Sequence, residues 1–208
     1  MEKKMNPTKS YYMFHKPAGC ITAKSDAYHK TVMDYFKNID NEALHPIGRL
    51  DKDTEGLLLF TDDGQFNQYL MAPENHVPKT YEFCVLGDLT ESYIEELQQG
   101  IFFKGSTKVT SPCKISVTSR ATLQDILPLI RDTKHRNLMK NQMHHPVTYG
   151  SITITEGRKH HIKRLMKHAH CCVVALKRIS IGDLMLDASL APGEYRPLTK
   201  EELSTLNW

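Results

Sequence analysis

The spacing of apolar positions changes repeatedly along the chain, and each change marks an element. "YYMFHKPAG", from Tyr11, reads as a strand running into a Pro-Gly turn, and "TVMDYF" as a short helix. Leu57–Thr61 is an unbroken apolar run bounded by Gly56 and by Asp-Asp-Gly, which predicts a buried strand. Gly64 then opens a helix carrying Phe66, Tyr69 and Leu70 and stopped by Pro73. "KTYEFCVLG" sets Tyr81, Phe83 and Val85 against Thr80, Glu82 and Cys84, the alternation of a strand. "TESYIEELQQG" offers a Thr90 cap, an Ile94–Leu97 face and a terminal Gly100. "CKISVT", "VTYGSITITEG" and "CVVALKRISIG" predict further strands. In "GRKHHIKRLMKHAH", Ile162, Leu165, Met166 and Ala169 follow the spacing of an amphipathic helix, with His160, Lys163, Arg164 and Lys167 on its other side. "LAPGEYRPLTKEEL" is a turn and then a helix begun by a Thr199–Glu202 capping box.

Residues 1–10 are polar and expected to be flexible, and 120–148 show no clean period and are expected to form a loop or an insertion. Strands in runs, with helices between some of them, argue for an α+β domain over 11–208 rather than a doubly wound sheet. No GxGxxG, P-loop, GxSxG or HExxH occurs, so a nucleotide cofactor or a hydrolytic triad has no support.

Composition narrows the classes. A chain of 208 residues with formal charge +3 is large enough to bury a core without staples and too mildly basic to announce nucleic acid by itself. The distribution says more. Between Glu156 and Arg178 stand seven Lys or Arg, four His and one acid, a local positive field of the kind phosphate binding uses, or else an ordinary solvated helix face. Five cysteines with no CxxC read as free thiols in a reducing cytosol. A zinc site built from Cys171, Cys172, His168 and His170 has poor ligand spacing. Nothing approaches a membrane span or a signal peptide, so a cytoplasmic protein, with a monomer as the default, is expected.

The most unusual stretch is "GRLDKDTEGLLLFTDDG", Gly48–Gly64. Counted from Asp51, its acids and Gly56 match the early part of a calcium loop, but the last ligand position holds Asp62 rather than glutamate. Pro46 and Gly48 upstream and the strand downstream leave no flanking helices. No metal is therefore assigned. The remaining readings are a solvated turn and the surround of a single reactive aspartate.

The same stretch resembles the nucleophile motif of bacterial ribosomal RNA pseudouridine synthases, roughly G-R-L-D-x-x-T-x-G-L-L-L-x-T-x-D-G. "KTY" at Lys79–Tyr81 resembles the second motif of that family, and "EGRKHHIKRLM" the third. "FHKPAG" is similar to its N-K-P-x-G strand end, and "LKRISIGDLMLDASLAPGEYRPLTKEEL" to the C-terminal block of the branch that modifies small-subunit rRNA. The likeness covers about residues 11–119 and 147–206. His15 stands where the family has asparagine and His161 where it has glutamine, and the S4-type RNA-binding domain usual in that branch is expected to be missing.

The resemblance implies a mixed, mostly antiparallel sheet in two halves with a central active-site cleft, and isomerisation of a specific rRNA uridine. That reaction oxidises nothing and loses no group, so no cofactor is called for. It needs one carboxylate at the sugar, and the motif assigns that part to Asp51. A carboxylate under a base needs a cation to stay ionised. Lys163 falls at the family's position for it, with Arg164 as the alternative or as a phosphate contact. Tyr81 corresponds to the family's active-site tyrosine, stacking on uracil and assisting proton movement at C5. Leu176 is a candidate wall of the base pocket, or plain core. Arg49, Arg158 and His160 are assigned to RNA contact, and the target nucleotide must leave its stack. Asp53, Glu55, Asp62 and Asp63 become loop and turn residues. The expected partner is rRNA or a ribosomal subunit precursor, with a large-subunit target as the rival within the class and a non-catalytic RNA-binding or assembly protein as the rival outside it.

Overall fold

The computed structural model describes residues 9–126 and 143–208. In chain order the elements are β1 (Tyr11–Lys16), β2 (His45–Pro46), β3 (Glu55–Thr61), α1 (Gly64–Met71), β4 (Lys79–Leu86), α2 (Glu91–Gln99), β5 (Lys114–Thr122), α3 (Leu123–Ile126), β6 (Pro146–Ile154), α4 (His161–His168), β7 (Cys172–Ile181), β8 (Leu184–Met185), β9 (Tyr195–Pro197) and α5 (Lys200–Thr205), with 3₁₀ turns at Val32–Tyr35 and Pro73–Asn75. This is the α+β class expected. Of the stretch expected to be a loop, residues 120–122 finish β5, 123–126 form α3 and 146–148 begin β6, while its centre lies outside the described residues. Most of the N-terminal segment expected to be flexible lies outside them too. Ser10, at its end, is pinned: its N–H donates to Asp62 Oδ1 at 2.9 Å and its carbonyl accepts from Thr61 Oγ1 at 2.7 Å.

The chain forms two compact units, Met1–Tyr81 with Lys177–Trp208, and Glu82–Leu176. In the first, β1 pairs antiparallel with both β3 and β9, and β3 pairs parallel with β7 through Glu55–Lys177 and Gly56–Arg178, so the sheet is mixed. Leu57 and Leu59 join Met13, Phe66, Leu70, Ile181 and Leu203 in one core. Phe60 faces the other way, onto Phe36, which also stacks on Tyr195, with ring centroids 4.1 and 4.2 Å apart. Both faces of β3 are therefore covered, which is why its sequence is a continuous apolar run and not an alternating one. Asp63 ends this run and caps α1. Its Oδ1 accepts from the N–H groups of Gln65 and Phe66 at 2.9 and 3.3 Å, and its Oδ2 accepts the Tyr11 hydroxyl at 2.8 Å. Burial and that bond push the Tyr11 phenol up to about 12.

In the second unit β5 pairs antiparallel with β6, and Cys84, Leu86, Leu123, Ile126 and Val147 pack together. Thr90 occupies the N-cap of α2 as expected, but its side chain makes no capping bond, and Gly100 ends the helix at φ +93°. Thr199 and Glu202 form the expected capping box at α5. All five cysteines are free. Among the described residues no helix is long and apolar enough to cross a membrane.

Gly56 is the tightest point of the first sheet. Its φ is +105°, and a Cβ there would sit 2.2 Å from the carbonyl oxygen of Arg178. Gly56→Ala is expected to destabilise by about 2–4 kcal/mol, because steric overlap with backbone adds to a disfavoured φ. Gly64→Ala, in open space at the start of α1, is the control and should be close to neutral. Denaturant midpoints of the two variants check this.

Candidate active site

Asp51 sits half-buried at the start of a tight turn, closed by the Thr54 N–H donating to the Asp51 carbonyl at 3.1 Å. The turn is clamped by the segment that follows β1. Thr22 Oγ1 donates to the Leu50 carbonyl at 2.9 Å and accepts the Leu50 N–H at 3.1 Å, and the Gly19 N–H donates to the Lys52 carbonyl at 2.7 Å. The strongest clamp is Lys16. Its side chain is fully buried, and Nζ donates to the carbonyls of Thr54 (2.9 Å), Pro17 (3.0 Å) and Lys52 (3.4 Å). Burial pulls this ammonium below its usual range, against the opposing charges of Cys20, Asp53, Glu55 and Asp51. The Asp51 turn is thus held through its own backbone. Arg49, one turn of chain earlier, is exposed, as an RNA contact would require.

Tyr81 is buried on β4. The guanidinium of Arg178, itself buried, lies 5.9 Å from the Tyr81 ring centroid, and its Nε donates to the Leu57 carbonyl at 2.7 Å. Arg178 therefore ties the strand leading from the Asp51 turn to the strand bearing Tyr81. Lys79, two residues before Tyr81, donates to the Val77 carbonyl at 3.0 Å, and burial, then the Arg178 charge, bring its ammonium down to about 8.

The other assigned residues belong to the second unit. Lys163 and Arg164 are half-buried on α4, and Leu176 is buried near the middle of β7. Two assignments gain a structural part. Arg158 makes an ion pair with Glu156 at 3.0 Å and donates to the carbonyls of Lys108 and Val109, so its guanidinium ties the chain ahead of α4 to the 101–110 segment. Arg164 lies over the Phe103 ring, 3.8 Å from the centroid. His160 is exposed and takes the left-handed conformation, φ 52°, at the N-cap of α4. His161, in the family's glutamine position, is buried beside Phe103, with Nε2 3.6 Å from Glu156 Oε1. Burial takes its pKa down to about 4, so the ring is neutral at physiological pH. His15, in the asparagine position, meets the Leu190 carbonyl through Nδ1 at 2.7 Å.

Sequence reading missed Lys16 and Arg178, although both lie inside quoted stretches, "FHKPAG" and "LKRISIG". The only signal available was their place at the edge of an apolar strand run, "YYMF" before Lys16 and "ISI" after Arg178.

The α+β architecture thus carries an aspartate on a clamped turn and a tyrosine on a second motif strand of the same unit. Residues 10–168 match the family model of RNA pseudouridylate synthases, and the chain belongs to that family. It is 39% identical over 95% of its length to an RNA pseudouridine synthase of Bacillus subtilis, YtzG, covering 73% of that protein. It is 34% identical over 94% of its length to the ribosomal small subunit pseudouridine synthase A of Escherichia coli, again covering 73% of the relative. A crystal structure of a pseudouridylate synthase superposes with a TM-score of 0.77 at 34% identity, over 95% of this chain and 74% of that one.

Two expectations follow. Lys16→Met should lower stability by about 3–5 kcal/mol, since three carbonyls lose a charged donor, and backbone amide exchange at Lys52–Thr54 should accelerate ahead of the rest of β3. Lys79 binds its proton in the unfolded chain up to its ordinary value of 10.5 but releases it above about 8 when folded. Unfolding free energy should therefore rise with pH across that window by up to about 3 kcal/mol. Lys79→Met should lack this rise, which parallel denaturant titrations at pH 7.5 and 10 would show.

Proposed function

We propose that this protein converts one uridine of small-subunit rRNA to pseudouridine, with Asp51 as the carboxylate at the reacting sugar. The observation that carries the reading is the seventeen-residue Gly48–Gly64 motif, found in a chain about one-third identical to small-subunit pseudouridine synthases across nearly its whole length.

The N1–C1′ bond breaks, the base turns, and C5 joins C1′. The C5 proton leaves and N1 regains one, so atoms and charge balance without an added group. Asp51 meets the sugar carbon as nucleophile or as stabiliser of its positive charge. The Lys16 clamp supports this part, because it fixes the turn through the backbone carbonyls of Lys52 and Thr54. Tyr81 supplies a face for the uracil ring and a hydroxyl for the C5 proton. The adjacent Arg178 holds that ring's surroundings and favours any negative charge developing on the base. Lys163 takes the cation's part by its place in the third motif, and Arg164 and Arg49 serve the RNA backbone. The enzyme works as a monomer in the cytoplasm, where ribosomal subunits mature.

Small-subunit rRNA treated with the protein, then labelled with carbodiimide, should give one reverse-transcriptase stop that is absent with Asp51→Ala. A denaturant titration of Asp51→Ala beside wild type checks that a lost stop reflects lost chemistry and not a lost fold. A stop that persists in Asp51→Ala would remove the catalytic assignment, and a stop only on large-subunit rRNA would replace the substrate.

A further inference from the structure

The segment between β1 and the first 3₁₀ turn forms a closed loop whose contents the chemistry above does not use. Its ends meet at a bridge: the Ile21 N–H donates to the Lys30 carbonyl at 3.0 Å and the Val32 N–H to the Ile21 carbonyl at 2.9 Å. Inside, Asp26 Oδ1 gathers the N–H groups of Tyr28 (2.9 Å) and His29 (2.8 Å) and the His29 ring Nδ1 (3.0 Å). The backbone at the tip is thus fixed, yet the Tyr28 side chain it presents is 93% exposed. Lys24, His29 and Lys30 stand exposed around it, and Lys30 Nζ is steadied 3.8 Å over the Tyr35 ring. Three donors occupy the one acid, Asp26. The root of the loop is Thr22, whose hydroxyl holds both backbone groups of Leu50, the residue before Asp51.

We propose that Tyr28 is a base-stacking platform, gripping an unpaired nucleotide that flanks the target uridine while Lys24 and Lys30 meet its phosphates. The proposal rests on the reading of the protein as an rRNA pseudouridine synthase. A solvent-facing aromatic ring on a pinned backbone among cations suits nucleic acid, whose bases offer a π face and whose backbone offers negative charge. A protein partner would call for a contiguous apolar patch, and the neighbours Ser25, Asp26 and Ala27 provide none. Because the loop is rooted beside Asp51, the nucleotide it grips is one that the RNA presents beside the target. The loop thereby contributes to the choice of site.

The probe is small-subunit rRNA transcribed in vitro, used for filter binding and for pseudouridine formation. Tyr28→Ala should raise both Kd and KM roughly tenfold or more, the loss of one stacked base, while kcat and the unfolding midpoint stay at wild-type values. Tyr28→Phe and Tyr28→Trp should restore binding. Lys24→Gln with Lys30→Gln should flatten the salt dependence of Kd, whereas Tyr28→Ala should leave its slope unchanged. Wild-type affinity in Tyr28→Ala would overturn the proposal. So would failure of Tyr28→Phe to restore binding, or a loss seen only on assembled subunits, which would indicate a ribosomal protein as the partner. Binding is read independently of turnover, so an Asp51→Ala variant that remained active would count against the catalytic reading and leave this result standing.

Discussion

A buried ammonium holds the candidate active site in place. Lys16 is drawn entirely out of water, and its charge is met by backbone carbonyls rather than by a carboxylate. A buried charge is tolerated only when its donors are satisfied, so the three carbonyls must converge. Two of them, Lys52 and Thr54, belong to the turn that starts at Asp51. Carbonyl pairing makes the geometry of the turn depend on β1, which pairs with both β3 and β9.

From β1 the constraint passes outward. Strand β3 leaves the turn and is packed on both faces, so it cannot slip in register without exposing leucines or burying its acids. Its first residues press against Arg178, which is why Gly56 has no room for a side chain. Arg178 in turn bonds Leu57 and lies beside Tyr81. A backbone contact that excludes a methyl group and a guanidinium that bridges two motif strands are thus parts of one arrangement, which fixes where the aspartate turn and the tyrosine strand stand within this unit.

How much of this was legible in the sequence depended on the range of the forces involved. Helix α4 and the Thr199–Glu202 capping box are local, set by residues three or four apart, and they appear where the pattern puts them. Strand β3 was legible because burial on both faces leaves an unbroken apolar run. Strands β2, β8 and β9, of two or three residues each, exist only because distant partners supply their hydrogen bonds, and nothing local announces them. Thr90 has the right position for a cap but not the bond, since position is a matter of sequence and hydroxyl orientation is not. Lys16 and Arg178 look like ordinary surface cations when read singly, because the carbonyls that receive Lys16 from the Asp51 turn arrive 36 and 38 residues later and the one that receives Arg178 lies 121 residues earlier. Asp51 was legible only through its motif, since a lone aspartate after Gly-Arg-Leu is otherwise a turn residue.

The loop from Ile21 to Thr31 is closed by a bridge of its own, and Thr22, at its base, bonds it to Leu50 beside the Asp51 turn. In evolutionary terms it is an exchangeable cassette. The bonds at its base run through Ile21, Thr22, Lys30 and Val32, so the residues between them are the part open to variation. Lineages could therefore retarget such a synthase by remodelling one surface loop while the chemistry stayed untouched, and a designer could do the same by transplanting that segment alone.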